Sequence, residues 1–174
     1  MSGKAFFIDT TLNWGSYQNP KDLCFFTYKV VRFQEHMGPD NKPVWYFFPD
    51  QCRHCVEPPC LEAAEDDTPG GIIIDSQTGA VLYTDKLKKA KAADITESCP
   101  FNIPRAQKGA GYMSKCTMCV DRVNNGLLPA CVKTCPTGAM SFGDRDKMVA
   151  MAKKRLGEAK SKYPNAEVTG LDDL

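Results

Sequence analysis

The stretch that decides the reading is Cys52-Arg53-His54-Cys55-Val56-Glu57-Pro58-Pro59-Cys60. Its three cysteines sit close enough in sequence for their sulfurs to enter one small volume. A second group opens with Cys116-Thr117-Met118-Cys119 and resumes with Cys131-Val132-Lys133-Thr134-Cys135-Pro136. Cys24 and Cys99 stand outside both groups, and Cys99 precedes Pro100. A disulfide framework favours an extracellular setting, an even count and usually a shorter chain. Nine cysteines in 174 residues fit that poorly, so metal ligation is the stronger reading.

Zinc takes four ligands and often uses paired C-x2-C units. An iron–sulfur cluster takes four thiolates, often with proline after the last cysteine of a run. The first group is a triplet with no fourth local ligand, and Cys99-Pro100 is available to complete it. The second group ends in Cys135-Pro136-Thr137-Gly138-Ala139, a Cys-Pro ending like that of bacterial ferredoxins. Gly and Pro around both groups leave backbone N–H groups free to point at sulfur. These features favour iron, although soft thiolate sites suit zinc as well and spacing alone does not separate the two.

Composition agrees that something other than a core holds the chain together. Leu, Ile, Val and Phe total 35 of 174 residues, near the level of chains that do not fold unaided. The length suits one domain or two small ones. A net charge of +1 provides no electrostatic footprint for nucleic acid or an acidic membrane. No apolar run approaches the ~20 residues that span a bilayer. The start, Met1 to Asp9, turns acidic before a secretory h-region forms. Walker loop, dinucleotide fingerprint, nucleophile elbow and HExxH are all absent, so the sequence itself shows no catalytic machinery.

Two segments carry a resemblance. Phe47 to Cys60 and Asn125 to Asp144 are very similar to the iron–sulfur (beta) subunits of formate dehydrogenases, in particular those of the soluble tungsten or molybdenum enzymes of sulfate-reducing bacteria. The likeness runs from Lys4 to about Asp173. It implies an α+β, ferredoxin-like fold of short strands, short helices and cluster-binding loops with a C-terminal helix. It also implies 4Fe–4S clusters as cofactors. Cys52, Cys55, Cys60 and Cys99 would hold one; Cys116, Cys119 and Cys131 would supply three ligands of a second. Cys135, the swapped last cysteine, would serve a different cluster, as in two-cluster ferredoxins. The role implied is electron transfer between a large molybdopterin catalytic subunit and a cytochrome or ferredoxin, with the chemistry on the partner. The resemblance favours a periplasmic location, by export with a partner that carries the signal; a cytoplasmic one is the alternative. The alternative within the class is the same role beside another molybdopterin oxidoreductase; the reading from a different class is a zinc-binding structural or interaction module.

The chain departs from that family in two places. A run of the form C-x2-C-x2-C-x3-C is missing where Thr11-Leu12 passes into Asn13-Trp14. That run would complete the sites served by Cys135 and by Cys116, Cys119 and Cys131. The family continues beyond Asp173 with a tail, whereas this sequence stops at Leu174; either the chain is a shortened homologue or it is part of a longer protein.

The expected organisation is a single domain over 1–174, with a proximal cluster region at 44–104, a distal one at 112–143 and a helix at 144–163. Strands are expected at Ala5–Ile8, Phe25–Phe33, Val44–Phe48, Ile72–Asp75 and Ala80–Tyr83. Asp75 to Gly79 reads as a hairpin turn. Helices are expected from Asp85 to Ser98, capped by Thr84 or Asp85, from Cys116 to Asn125, closed by Gly126, and from Asp144 to Tyr163. The last has an apolar stripe of Met148, Ala152, Leu156, Ala159 and Tyr163. Cys24 reads as a buried small hydrophobe, and His36 and His54 as structural or solvated. Trp14, Trp45 and Tyr46 read as core or interface aromatics. Lys115, Lys133, Arg53 and Arg122 flank cysteines, where positive charge would stabilise a reduced cluster.

Overall fold

In the computed structural model, residues 20–107 and 111–170 are described. The expected strand at Ala5–Ile8, Trp14, and the point where the first cysteine run is missing lie outside them. The chain divides into two compact units. One comprises the described residues up to Cys52 with Pro59–Ile73 and Leu82–Cys116; the other comprises Arg53–Pro58, Ile74–Val81 and the residues from Thr117 onward.

The first unit begins with an antiparallel hairpin, β1 (Lys29–Met37) and β2 (Pro43–Gln51), in register from Lys29 opposite Gln51 to Met37 opposite Pro43. β1 starts later than the aromatic run suggests. Phe25 and Phe26 are taken up in a turn closed by the Thr27 N–H on the Cys24 carbonyl at 3.0 Å. Arg32 on β1 binds Asp50 on β2 at 2.9 Å and Asp22 at 2.6 Å, and Arg105 reaches the same Asp22 at 3.2 Å. The hairpin base is thereby tied to β5 (Arg105–Ala106), which pairs with β6 (Met113–Ser114). Leu23, Val30 and Ile103 form a small buried core beneath it.

α1 (Pro59–Glu65) opens on proline, whose fixed φ and missing N–H suit a first helical position. It packs against α2 (Ala92–Ser98). The single helix expected from Asp85 to Ser98 is broken: a 3-10 turn covers Asp85–Lys89, and α2 begins after an extended link at Ala90 and Lys91. The expected cap residue is used elsewhere, since the Thr84 hydroxyl donates to the carbonyls of Gly70 and Gly71 at 2.9 and 3.1 Å. Gly71 is required by close approach, because a Cβ there would meet Leu87 and the Thr68 carbonyl at under 3 Å.

β3 (Ile72–Ile74) and β4 (Val81–Tyr83) form the second hairpin. Its turn is the expected one: Asp75 accepts from the Thr78 N–H and hydroxyl at 2.9 and 2.6 Å, and Gly79 takes a left-handed φ of 71°.

In the second unit, the helix expected from Cys116 to Asn125 shrinks to α3 (Val120–Val123). Met118 and Cys119 are left-handed, at φ 58° and 51°, so Cys116 and Cys119 do not share a helix face. Gly126 closes the helix with a φ of 69°, as expected. α4 (Ala130–Thr134) carries Cys131, and α5 (Arg145–Lys160) is the long C-terminal helix. Asp144 sits at the N-cap position of α5, but its carboxylate pairs with Lys147 at 2.6 Å instead of capping the backbone. The apolar stripe is half-buried through Met148, Ala152, Leu156 and Ala159 and exposed at Tyr163. The described residues thus form an α+β architecture of short strands and helices.

Candidate metal centre

Among the described residues, no two cysteines form a disulfide. In the first unit, three separate pieces of local structure bring Cys52, Cys60 and Cys99 toward one another. Cys52 follows the last residue of β2. Cys60 is the second residue of α1 and is buried. Cys99 is the C-cap of α2, with an extended backbone. Cys52 and Cys99 both pack on the Leu23, Val30 and Ile103 core. The three thiols influence one another electrostatically: burial pushes the Cys60 thiol up, and Cys52 and Cys99 add to the rise.

Two further residues close on this trio. The Tyr83 hydroxyl oxygen is buried and completes no hydrogen bond, although it lies within reach of the Cys60 sulfur. Burial and the neighbouring Cys60 push the phenol's pKa up, so it keeps its proton and remains a donor. Lys115 is 5 % exposed; its ammonium lies 4.8 Å from the Tyr83 ring centre and donates to the Cys116 carbonyl at 3.1 Å. Its charge, with the approach of the Tyr83 hydroxyl, partly offsets the rise at Cys60. The sequence places Lys115 beside a cysteine, but Tyr83 carries no signal beyond its place at the end of a strand.

Cys55 belongs to the second unit with His54. His54 is structural: it takes a left-handed φ of 52°, and its Nδ1 accepts the Val81 N–H at 3.0 Å. His54 and Met118 hold the same place in their C-x2-C loops and both are left-handed. Such backbone is costly for residues with a side chain and persists where the surroundings impose it.

Also in this unit, Cys135 sits in a nest of donors. The Thr137 hydroxyl lies 3.5 Å from its sulfur, and the backbone N–H groups of Met140, Ala139 and Thr137 point at it. These donors, Thr137 foremost, bring its pKa down to about 7. Cys119 precedes α3, and Cys131 lies on α4. Cys24 departs from expectation: it is exposed, with its sulfur 3.3 Å from the Thr27 hydroxyl, because the turn at Cys24–Thr27 faces outward. Among the described residues, no group of three or more His, Cys, Asp or Glu side chains is arranged to hold a single metal ion.

Residues 43–145 match the family model of a 4Fe–4S dicluster domain. The chain is 48% identical over 169 residues to formate dehydrogenase 2 subunit beta (cytochrome c-553) of Nitratidesulfovibrio vulgaris, covering 95% of this chain and 77% of that one. It is 47% identical over 165 residues to formate dehydrogenase subunit beta of Megalodesulfovibrio gigas, covering 94% and 76%.

The chain belongs to the iron–sulfur (beta) subunits of formate dehydrogenase.

A more distant member, the iron–sulfur subunit of the nitrate-inducible formate dehydrogenase of Escherichia coli, is 40% identical over 155 residues and is matched over 51% of its length. The fold is accordingly the ferredoxin-like 4Fe–4S kind, and the subunit's role is electron transfer. The residues present fit such a cofactor. Thiols are the soft donors iron–sulfur clusters take. The buried Tyr83 hydroxyl lies beside the Cys60 sulfur, where a ligating thiolate would accept its hydrogen bond. The nest at Cys135 is built for an anionic sulfur.

Proposed function

We propose that this formate dehydrogenase beta subunit passes single electrons from a large molybdopterin catalytic subunit, bearing tungsten or molybdenum, to an external carrier, a cytochrome or ferredoxin. Formate oxidation takes place on the partner. Cys52, Cys55, Cys60 and Cys99 ligate a proximal 4Fe–4S cluster. Cys116, Cys119 and Cys131 supply three ligands of a distal one, and Cys135, on the swapped pattern, serves a third cluster only if a first cysteine run exists to complete it. The clusters supply the one-electron chemistry, while this chain ligates them, buries them and donates hydrogen bonds to their sulfurs.

The observation that carries the reading is the packing of Cys52 and Cys99 on one apolar core, with Cys60 close enough for both to bear on its charge and the buried Tyr83 hydroxyl beside it. A cytochrome as carrier is supported by the name of the relative from Nitratidesulfovibrio vulgaris. A periplasmic location, reached by export with the catalytic subunit, belongs to the same reading.

The test is metal analysis of the purified complex with reduction by formate. Iron and acid-labile sulfide in the small subunit, and a brown chromophore that formate bleaches, are expected. A colourless chain holding zinc would replace this reading with that of a structural zinc module.

A further inference from the structure

Lys115 differs from the other basic residues beside cysteines. Lys133 is exposed, Arg53 is half-buried, and Arg122 spends its Nε on the Leu128 carbonyl at 2.9 Å. Lys115 is buried, and lysine is rarely buried without a compensating partner. It lies over the Tyr83 ring, and Tyr83 carries a buried hydroxyl toward Cys60. The order Cys60, Tyr83, Lys115, Cys116 is thus one contiguous path within the first unit.

We propose that Lys115 and Tyr83 act as a pair that raises the reduction potential of the centre held by Cys52, Cys60 and Cys99, Lys115 through its buried charge and Tyr83 through a hydrogen bond to the Cys60 sulfur. This rests on the electron-transfer reading above. A cluster with four thiolates is an anion, and one added electron makes it more so. A fixed positive charge in a low-dielectric surrounding therefore stabilises the reduced form more than the oxidised one. A hydrogen bond to a ligating sulfur acts in the same direction. The electron enters from the reductant, and the protons on Lys115 and Tyr83 stay where they are. Both are positioning residues: they touch the ligands' surroundings and take no part in formate chemistry.

The test is an EPR-monitored redox titration of the intact complex with dithionite, comparing wild type with Tyr83→Phe, Lys115→Met and Lys115→Arg. Tyr83→Phe keeps the ring and removes only the hydroxyl, so it retains iron and lowers the proximal midpoint while leaving the other signals in place. Lys115→Met lowers that midpoint further, by about a tenfold fall in the reduced-to-oxidised ratio at fixed potential, equivalent to about 59 mV for one electron. Lys115→Arg stays near wild type. An unchanged proximal midpoint in Tyr83→Phe, with full iron content, overturns the proposal even if Lys115→Met fails to fold. A wild-type complex with neither iron nor a reduced-cluster signal overturns the electron-transfer reading itself.

Discussion

Cys99 and Cys135 occupy the same backbone position in two different parts of the chain. Each is the C-cap of a short helix, at φ −82°, ψ 111° and φ −74°, ψ 106°. Each is followed by proline and then by a turn that closes back on its own carbonyl, through Asn102 at 2.9 Å and Gly138 at 3.3 Å, with both closing residues left-handed. Four residues before Cys135 stands Cys131, but four before Cys99 stands Ile95, and four after Cys60 stands Ala64. Ile95 and Ala64 are each 1 % exposed, on the packed pair α2 and α1. The proximal region therefore keeps the frame of a ferredoxin repeat, with apolar packing where further thiols would stand.

That equivalence bears on Cys135. On the swapped pattern it serves a cluster other than that of Cys116, Cys119 and Cys131. Cys135→Ser is expected to spare the EPR signal of the latter centre. Loss of that signal would mean that Cys135 closes the local site in place of the missing first run.

Iron removal should be structurally costly. The aliphatic content is thin, and metal binding of this kind contributes folding free energy. Anaerobic chelation is expected to abolish the cooperative melt and release the catalytic subunit. A cooperative transition retained in the iron-free chain would contradict this.

The hairpin of β1 and β2 displays Trp45, Tyr46, Phe47 and Phe48, each more than half exposed. Phe33 packs on Phe47 at 5.2 Å and on Trp45 at 6.0 Å, and Trp45 donates to Glu35. A two-stranded sheet with so much aromatic surface is marginal in water, so part of it is expected to be covered by the catalytic subunit. Phe47→Ala should weaken subunit association by about 2 kcal/mol or more while iron content stays at the wild-type level. Unchanged affinity by sedimentation or calorimetry would place the interface elsewhere.

Asp22 links Arg32 to Arg105. Burial pushes its carboxyl up, but the Arg32 hydrogen bond, the Leu23 N–H and the Arg105 charge outweigh that and hold it below its usual 3.8. Its stabilising contribution is present above pH 3.8 and fades as pH falls through the lower folded value. The pairs are half-exposed, so the contribution is about 1 kcal/mol or less. Asp22→Asn should lower the melting temperature slightly at neutral pH, and the gap from wild type should close in acid. A gap that widens as pH falls would contradict the sign.

Cysteine spacing made the iron–sulfur family legible, because closely spaced cysteines and Cys-Pro endings are short local motifs. The hairpin turn at Asp75–Gly79 and the long helix were legible for a similar reason: turn chemistry and a 3.6-residue stripe are local. The helix breaks at Ala90–Lys91 and at Met118–Cys119 were not, because helical propensity says nothing about a Thr84 hydroxyl drawn to Gly70 or a loop bent left-handed between two cysteines. Tyr83 and Lys115 escaped as a pair because their meeting is a matter of tertiary packing. Cys24 was misplaced because apolar neighbours in sequence do not fix which way a turn faces.

The most direct measurement is low-temperature EPR, with iron counting, on the reduced complex carrying Cys99→Ser. The proximal signal should be lost or converted while the signal of the Cys116, Cys119 and Cys131 centre persists. Loss of both signals, or an unaltered proximal signal with full iron, would contradict the placement of Cys99 with Cys52, Cys55 and Cys60.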